Sequence, residues 1–407
     1  MIFSQMTQFC LFRPPKGGYL SFLPNEILYI LLDQLDDKDQ YHLSLTCKKF
    51  YRLVRLNLFG IVTPVWKDAE VIGLENLSAS CYRDGVVVNN SLFIPILEKK
   101  EPYCLSINLV QKPLKLIRHS ILIDFNTKSF YEPCEFIATA AIGNRLYIFG
   151  GKNLNSGEIT NAFYELNINT FELKKLHQSH HLPKPRMMHT LNSIDNHRLA
   201  LFGGRMCMNG KYYDSKDFAI YDVKKNSWEV INNESAFVPS RRSNQSTMFF
   251  NDKLYIYGGQ QITSSSTLNR IHDDPDIWEY DTLKLNWKRY LNGLTLSGLL
   301  LPKNCISTSG VNPSKRCGAA IFPIRKNIGI LGGIEMMQIN EEILTWGHMK
   351  ILSPMKQTWV QVKVKEMPRI ECVAFYVEYK FGTKDIFVIG KDQKEGKIIT
   401  GWIKDEQ

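Results

Sequence analysis

RLYIFGG (Arg145–Gly151) returns as RLALFGG (Arg198–Gly204), KLYIYGG (Lys253–Gly259) and NIGILGG (Asn327–Gly333), with a degenerate copy, DIFVIGK, at Asp385–Lys391. Each copy is a short run of aliphatic or aromatic residues. The four full copies stop at two glycines, which predicts a strand whose end turns through positive φ or passes close to another segment. A second strand pair follows each full copy, marked by an aromatic six residues after an acidic or polar residue: Glu165/Phe171, Asp222/Trp228, Asp281/Trp287 and Ser353/Trp359, with a weaker copy at Asp124/Phe130. A proline-arginine feature precedes three of the glycine pairs at a near-constant interval: Arg186 lies 17 residues before Gly203, Arg242 16 before Gly258 and Arg316 16 before Gly332. The units recur every 53 to 74 residues.

Three markers in register at that period resemble the kelch repeat, a unit of about 50 residues that folds as one four-stranded blade of a β-propeller. The resemblance covers most of residues 61–407. One blade cannot bury both its faces and a closed ring can, with the large aromatics filling the wedges between blades. Units start near Cys134, Arg186, Arg242, Arg316 and Arg369, and a weaker one spans Ala79 to Tyr131, where SLFIPIL replaces the glycine-ended strand. Six blades are expected, with five or seven open. The last unit is short of an outer strand, and PVWKDAEVI (Pro64–Ile72) is expected to complete it and close the ring.

Residues 20–58 carry a different period. Apolar residues recur at helical spacing, with Pro24 in a first turn where proline is tolerated. LPNEILYILLDQLDDKDQYHLSLTCKKFYRLV (Leu23–Val54) resembles the F-box, a three-helix motif that docks on the Skp adaptor. The resemblance implies a docking surface of Leu23, Pro24, Ile27, Ile30, Leu31, Leu43, Cys47, Phe50 and Leu53; Tyr41 and His42 stand where smaller or aliphatic residues are more usual. Leu23, Ile27, Ile30 and Leu31 form one apolar stripe, and Leu28, Leu32 and Leu35 another on a different face. So short a segment cannot bury both, so one stripe calls for a partner. The expected organisation is an N-terminal tail (1–19), a small all-α F-box (20–60) and an all-β kelch propeller (61–407).

The composition fits a packed globular protein: of 407 residues, 44% are hydrophobic, 12% aromatic and 22% charged. Nine scattered cysteines without a C-x-x-C pair argue for reduced thiols and against a disulfide framework or zinc site. The first twelve residues lack the marks of a signal peptide, and no apolar run approaches the ~20 residues of a membrane helix. A cytoplasmic or nuclear location follows as the expectation. The net charge of +10 is too dilute for a nucleic-acid surface. HQSHH (His177–His181) and HDDPD (His272–Asp276) read as solvated loops rather than metal ligands. No Walker, dinucleotide or nucleophile-elbow pattern is present, so no cofactor and no catalytic residue is assigned.

In a blade with strands a to d, the b–c and d–a connections share one end of the ring, and a–b and c–d the other. The a–b and c–d turns are short here, whereas Gln260 to Asp276 and Leu291 to Pro313 are long, which makes the b–c/d–a end the working face. Arginines at the kelch position, Arg186, Arg242, Arg316 and Arg369, are expected there, with Arg241 the alternative to Arg242 in register. By resemblance to propellers that recruit acidic peptides they would bind the substrate; the competing reading has them tie the ring together. The apolar stretch LTLSGLLLP (Leu294–Pro302) is either a partner-binding insert or packing on the ring. The combination implies a non-catalytic substrate-recognition subunit of a Skp–cullin–F-box ubiquitin ligase, bound to a Skp adaptor, through it to cullin, and to an acidic or phosphorylated protein substrate. The alternative is a kelch scaffold in trafficking or cytoskeletal assembly that uses the F-box without ubiquitin transfer.

Overall fold

The glycine-ended runs form strands buried on both sides, because each blade is covered by a neighbour on either face. Leu146, Tyr147, Ile148 and Phe149 are all 0–1% exposed, which explains a continuous apolar run where one wet face would have produced alternation. A computed structural model describes residues 64–405 except 78–80, 178–181, 232–236, 263–268, 272–275, 293–303, 311–312, 337–342, 346–347, 356, 364–366, 369, 379–383 and 393–396. Of the first 63 residues it describes Leu28, Leu31, Leu32, Leu35, His42, Leu43 and Thr46.

The described residues are nearly all β, in a propeller of four-stranded antiparallel blades. The strands a to d of one blade are Val86–Val88, Ser91–Ile96, Tyr103–Asn108 and Leu114–Ser120. The next are Ala138–Ile142, Arg145–Phe149, Phe163–Asn167 and Glu172–Lys175, then Thr190–Ser193, Arg198–Phe202, Phe218–Asp222 and Ser227–Val230. Ser246–Phe250, Lys253–Tyr257, Ile277–Asp281 and Asn286–Asn292 follow, then Ala320–Ile324, Asn327–Leu331, His348–Ser353 and Thr358–Lys363. Ile370–Glu378, Lys384–Lys391 and Ile398–Asp405 form a final set. Their fourth strand is Pro64–Asp68, antiparallel to the third, from Pro64 opposite Asp405 to Asp68 opposite Gly401. Each innermost strand touches the innermost strand of the next blade, and Ile370–Glu378 touches Val86–Val88, so the line of contacts closes on itself.

Between blades, outer-strand tryptophans fill the wedge. Trp228 sits 5.3 Å from Phe149 and 5.4 Å from Phe163 of the preceding blade, and Trp287 packs the same way on Phe202 and Phe218. Two of the expected aromatic stations fall elsewhere. Phe171 precedes its outer strand, stacks on His119 at 4.1 Å and leaves the buried place to Leu173. Asp124 caps a short helix, Phe125–Lys128, by accepting from Asn126 N, and Phe130 is 59% exposed; the outer strand of that blade is the earlier Leu114–Ser120.

Short parallel strands cover several outer edges: Val71–Ile72 beside Leu114–Lys115, Leu122–Ile123 beside Glu172–Leu173, and Cys305–Gly310 linking the outer strands of two blades. Edges covered in this way do not template pairing with another chain.

Candidate substrate-binding face

The interval between arginine and glycine read in the sequence is a hydrogen bond. Arg186 Nη1 donates to Gly203 O at 2.9 Å, Arg242 Nη1 to Gly258 O at 3.0 Å and Arg316 Nη1 to Gly332 O at 2.9 Å. Each Nε bonds the carbonyl two residues back, on Lys184, Ser240 and Ser314. The main chain completes the joint: Gly151 N donates to Arg186 O, Gly204 N to Arg242 O and Gly259 N to Arg316 O, at 2.8, 2.9 and 3.0 Å. A Cβ on Gly150 would lie 2.5 Å from Arg186 O, and Gly150 and Gly151 have φ of 66° and 107°, so both glycines are required here.

This corrects the expectation for these side chains. Arg186, Arg242 and Arg316 are 0–1% exposed: each guanidinium ties the b-strand end of its own blade while the residue's carbonyl meets the blade before, and none lines an open mouth. Burial lowers the pKa of Arg186, and the Asp217 carboxylate, 2.8 Å from Nη2, opposes that shift. Arg369 lies outside the described residues. Among the exposed cations of this face are the neighbours Lys184, Arg241 and Lys315; of Arg242 and its register alternative Arg241, it is Arg241 that reaches solvent.

Two residues beyond each buried arginine comes a feature the sequence reading missed. Met188, Asn244 and Gly318 take φ of 54°, 54° and 62°, and Phe136 and Glu371 take 55° and 48° at the head of their innermost strands. They link into a backbone collar: Met188 N donates to Phe136 O, Asn244 N to Met188 O and Cys372 N to Gly318 O. The kink drives the next side chain into the seam between blades. Gln245 Nε2 donates to Phe202 O at 2.9 Å, and His189 at the equivalent position meets Phe149 edge-on at 5.5 Å. The fixed offset from the arginine was the available signal, but the residue types at it share no chemistry.

Inside the collar the innermost strands line a cavity of about 590 Å³, and its charged residues are Arg83, Asp84 and Glu371. Burial raises the Asp84 carboxyl above its usual range, with Arg83 pulling it partly back, while Glu371 pairs with Lys391 at 2.6 Å. Beside the mouth, b–c hairpins rise from three successive blades: Arg205–Met208 with Lys211–Asp214, Gln260–Ile262 with Asn269–Ile271, and Ile334–Met336 with Ile343–Thr345. The first stands on a buried pair, Arg205 Nε to Asp214 Oδ1 at 3.0 Å, reinforced by Ile262 N donating to Asp214 Oδ2. Its tip, turned by Asn209 and Gly210, exposes Cys207, Met208 and Tyr212. The stretch Leu294–Pro302 lies outside the described residues.

Of the head, Leu28, Leu31, Leu32, His42 and Leu43 are helical; Leu28 and Leu32 are 1% exposed and Leu31 and Leu43 are partly exposed. Leu23, Pro24, Ile27, Ile30, Cys47, Phe50 and Leu53 lie outside the described residues. Pro64, where the head joins the propeller, pairs with the far end of a c strand, at the a–b/c–d end of the ring and opposite the hairpins. Among the described residues no group of His, Cys, Asp or Glu could hold a metal ion, and no helix is long and apolar enough to cross a membrane. His177 and Asp276 are the described members of the two polar loops, and Asp276 accepts from Arg289 Nε at 2.6 Å.

Residues 137–390 match the KLHDC2/KLHL20/DRC7 Kelch-repeats domain, more than half of the chain, and residues 20–61 match the F-box domain. The chain belongs to the F-box/kelch-repeat family. The F-box/kelch architecture is typical of non-catalytic substrate adaptors. Kelch domain-containing protein 3 of Bos taurus is 22% identical over 37% of this chain and 39% of its own length. The Rho GTPase-activating protein gacHH of Dictyostelium discoideum is 28% identical over 39% of this chain and 10% of its own. N-(sulfonatooxy)prop-2-enimidothioate sulfolyase of Thlaspi arvense is 29% identical over 30% and 34%. The F-box/kelch chain thus spans from a tenth to about two fifths of the curated relatives it matches. A solved structure titled "Structure of YjhT" covers 84% of the chain and 95% of its own at 15% identity and a TM-score of 0.54, a likeness of fold.

Proposed function

We propose that this F-box/kelch protein is the substrate-recognition subunit of a Skp–cullin–F-box ubiquitin ligase. The reading takes residues 20–60 as a three-helix head that binds the adaptor through Leu23, Pro24, Ile27, Ile30, Leu31, Leu43, Cys47, Phe50 and Leu53. Residues 61–407 are then a six-bladed ring that holds the substrate. The observation that carries it is polarity: an F-box segment joins the ring at one end, and the long hairpins stand at the other. A receptor of this form contributes position rather than bond-making, holding a substrate where another subunit can modify it.

The substrate is a protein segment that meets Met208 and Tyr212 at the hairpin tip and brings carboxylates or phosphates to Lys184, Arg241 and Lys315. Charge-assisted hydrogen bonds from such a set are stronger than neutral ones and weaken as salt is raised. Co-purification of the full chain with adaptor and cullin tests the assignment. Leu23→Ala with Pro24→Ala should abolish both while the ring keeps its melting temperature. Adaptor without cullin would favour the scaffold role, and no adaptor would sink the reading of the head.

A further inference from the structure

Five blades open their innermost strand with the same backbone device, and the 86–120 blade does not. Phe136, Met188, Asn244, Gly318 and Glu371 hold the positive-φ station of the collar. In the 86–120 blade the station falls on Asp84, two residues before Val86 as Asn244 is two before Ser246, and a 3₁₀ turn, Cys81–Asp84, stands in place of the kink. This is also the blade whose b strand, Ser91–Ile96, lacks the glycine pair. Where the repeat lapses, charged side chains take the place of backbone at the cavity wall: the turn brings Arg83 and Asp84 to it.

Among the described residues that line the cavity, Arg83 is the one lysine or arginine. It is partly exposed, and among the described residues its guanidinium makes no hydrogen bond and no ion pair; the Asp84 carboxyl makes no hydrogen bond either. The neighbouring acids do not supply the missing charge. Glu371 is held by Lys391 at 2.6 Å. Burial raises the Asp84 carboxyl to about 8, with Arg83 pulling it partly back, so at pH 7 it is mostly the neutral acid and can donate its O–H. The strands packed on the turn do not alter this. Ser91–Ile96 has no titratable side chain, and Ile370–Glu378 adds Cys372, Tyr376 and Glu378 to Glu371. Burial pushes the Cys372 thiol up to about 12 and raises the Tyr376 hydroxyl, and Glu378 pairs with Lys384. Within the turn, burial raises the Tyr82 hydroxyl and Cys81 lies near Tyr103. An unpaired guanidinium beside a neutral acid, both facing an enclosed space, is a set of donors without an acceptor.

We propose that Arg83 and Asp84 form an oxyanion subsite in the central cavity, where the guanidinium and the Asp84 O–H donate together to a carboxylate or a phosphate carried by the substrate. The fork of a guanidinium suits either group, and a cavity of about 590 Å³ has room for the side chain that bears it. The subsite lies away from the buried arginines of the repeats and inside the ring of Lys184, Arg241 and Lys315. It rests on the reading of the ring as the substrate holder and is independent of the head.

The test is an anisotropy titration of the purified full-length chain, at constant ionic strength, with two labelled probes: a capped hexaglutamate peptide and a capped phosphoserine peptide with neutral flanks. The one that binds more tightly at pH 7 assigns the oxyanion to a carboxylate or to a phosphate. Arg83→Met should weaken that binding roughly tenfold at unchanged melting temperature, and Arg83→Lys less. Wild-type affinity should fall severalfold between pH 7 and 9, as Asp84 loses its proton and repels the ligand. Asp84→Asn keeps a donor without the charge, so it should bind as wild type at pH 7 and lose that fall. If Arg83→Met binds within about twofold of wild type while Arg241→Ala with Lys315→Ala does not, the outer cations alone take the anion, which overturns the subsite and leaves the substrate reading intact. An Asp84→Asn chain that keeps the wild-type fall overturns it even where Arg83→Met proves unstable, and so does a wild type that binds neither probe.

Discussion

Arg242 shows how much backbone one side chain can hold. Its guanidinium reaches Gly258 O, Ser240 O and Ser240 Oγ from a fully buried position, and its own carbonyl accepts from Gly204 of the blade before. Arg242→Ala would strand those acceptors away from water and should cost about 3 kcal/mol, a loss of several degrees in melting temperature by calorimetry. Arg242→Lys should recover little, because an ammonium cannot serve the fork of acceptors. Arg241→Ala should leave stability unchanged and weaken capture of an acidic peptide. His189 offers a test in pH. Burial, with Arg186 nearby, holds its pKa well below the usual 6.5. The unfolded chain therefore takes up a proton near pH 6.5 that the folded chain refuses, so stability is complete above that pH and declines as pH falls below it. His189→Gln copies Gln245 of the next blade and should flatten the decline between pH 6.5 and 5 in denaturant titrations; an unaltered slope would place the sensitivity elsewhere.

Element by element, the sequence disclosed strands whose chemistry repeats and hid those whose chemistry does not. The glycine pairs were legible because their backbone conformation and close approach leave no other residue, and the tryptophans because a wedge between blades takes a large ring. The arginines were legible in position but not in role, since a repeated cation looks the same whether it binds a ligand or two carbonyls. The collar at Phe136, Met188, Asn244, Gly318 and Glu371 was hidden because it is made of backbone. The outer strand Leu114–Ser120 was missed because an inserted helix supplied a decoy at Asp124/Phe130. The strand Pro64–Asp68 carries its own prediction. It pairs along its whole length with Gly401–Asp405, and the Trp66 ring lies so close to Gly401 that any side chain there would collide. Removing residues 1–75 should open the last blade and lower the melting temperature well below that of a chain lacking only 1–58. Equal stability of the two truncations would refute a role for this strand in holding the ring.

At the scale of the molecule, Pro64, just after the F-box match, and the hairpin face lie at opposite ends of the ring, so in the proposed function a substrate and an adaptor would not compete for surface. Arg242→Ala and Leu23→Ala/Pro24→Ala should therefore fail differently. The first should lose folded protein at physiological temperature, and the second should yield a folded chain that still binds substrate but protects it from turnover in a pulse-chase assay. The seam that joins Pro64–Asp68 to Gly401–Asp405 has a further consequence in time. Ala69 O accepts from Thr400 Oγ1 across 331 residues, so the first strand among the described residues waits for one of the last of them. During synthesis every growing ring is an arc with two raw edges, and pairing across so long a separation is slow. A nascent chain stalled before residue 398 should therefore stay bound to chaperones, and release should coincide with emergence of the final strand rather than rise blade by blade.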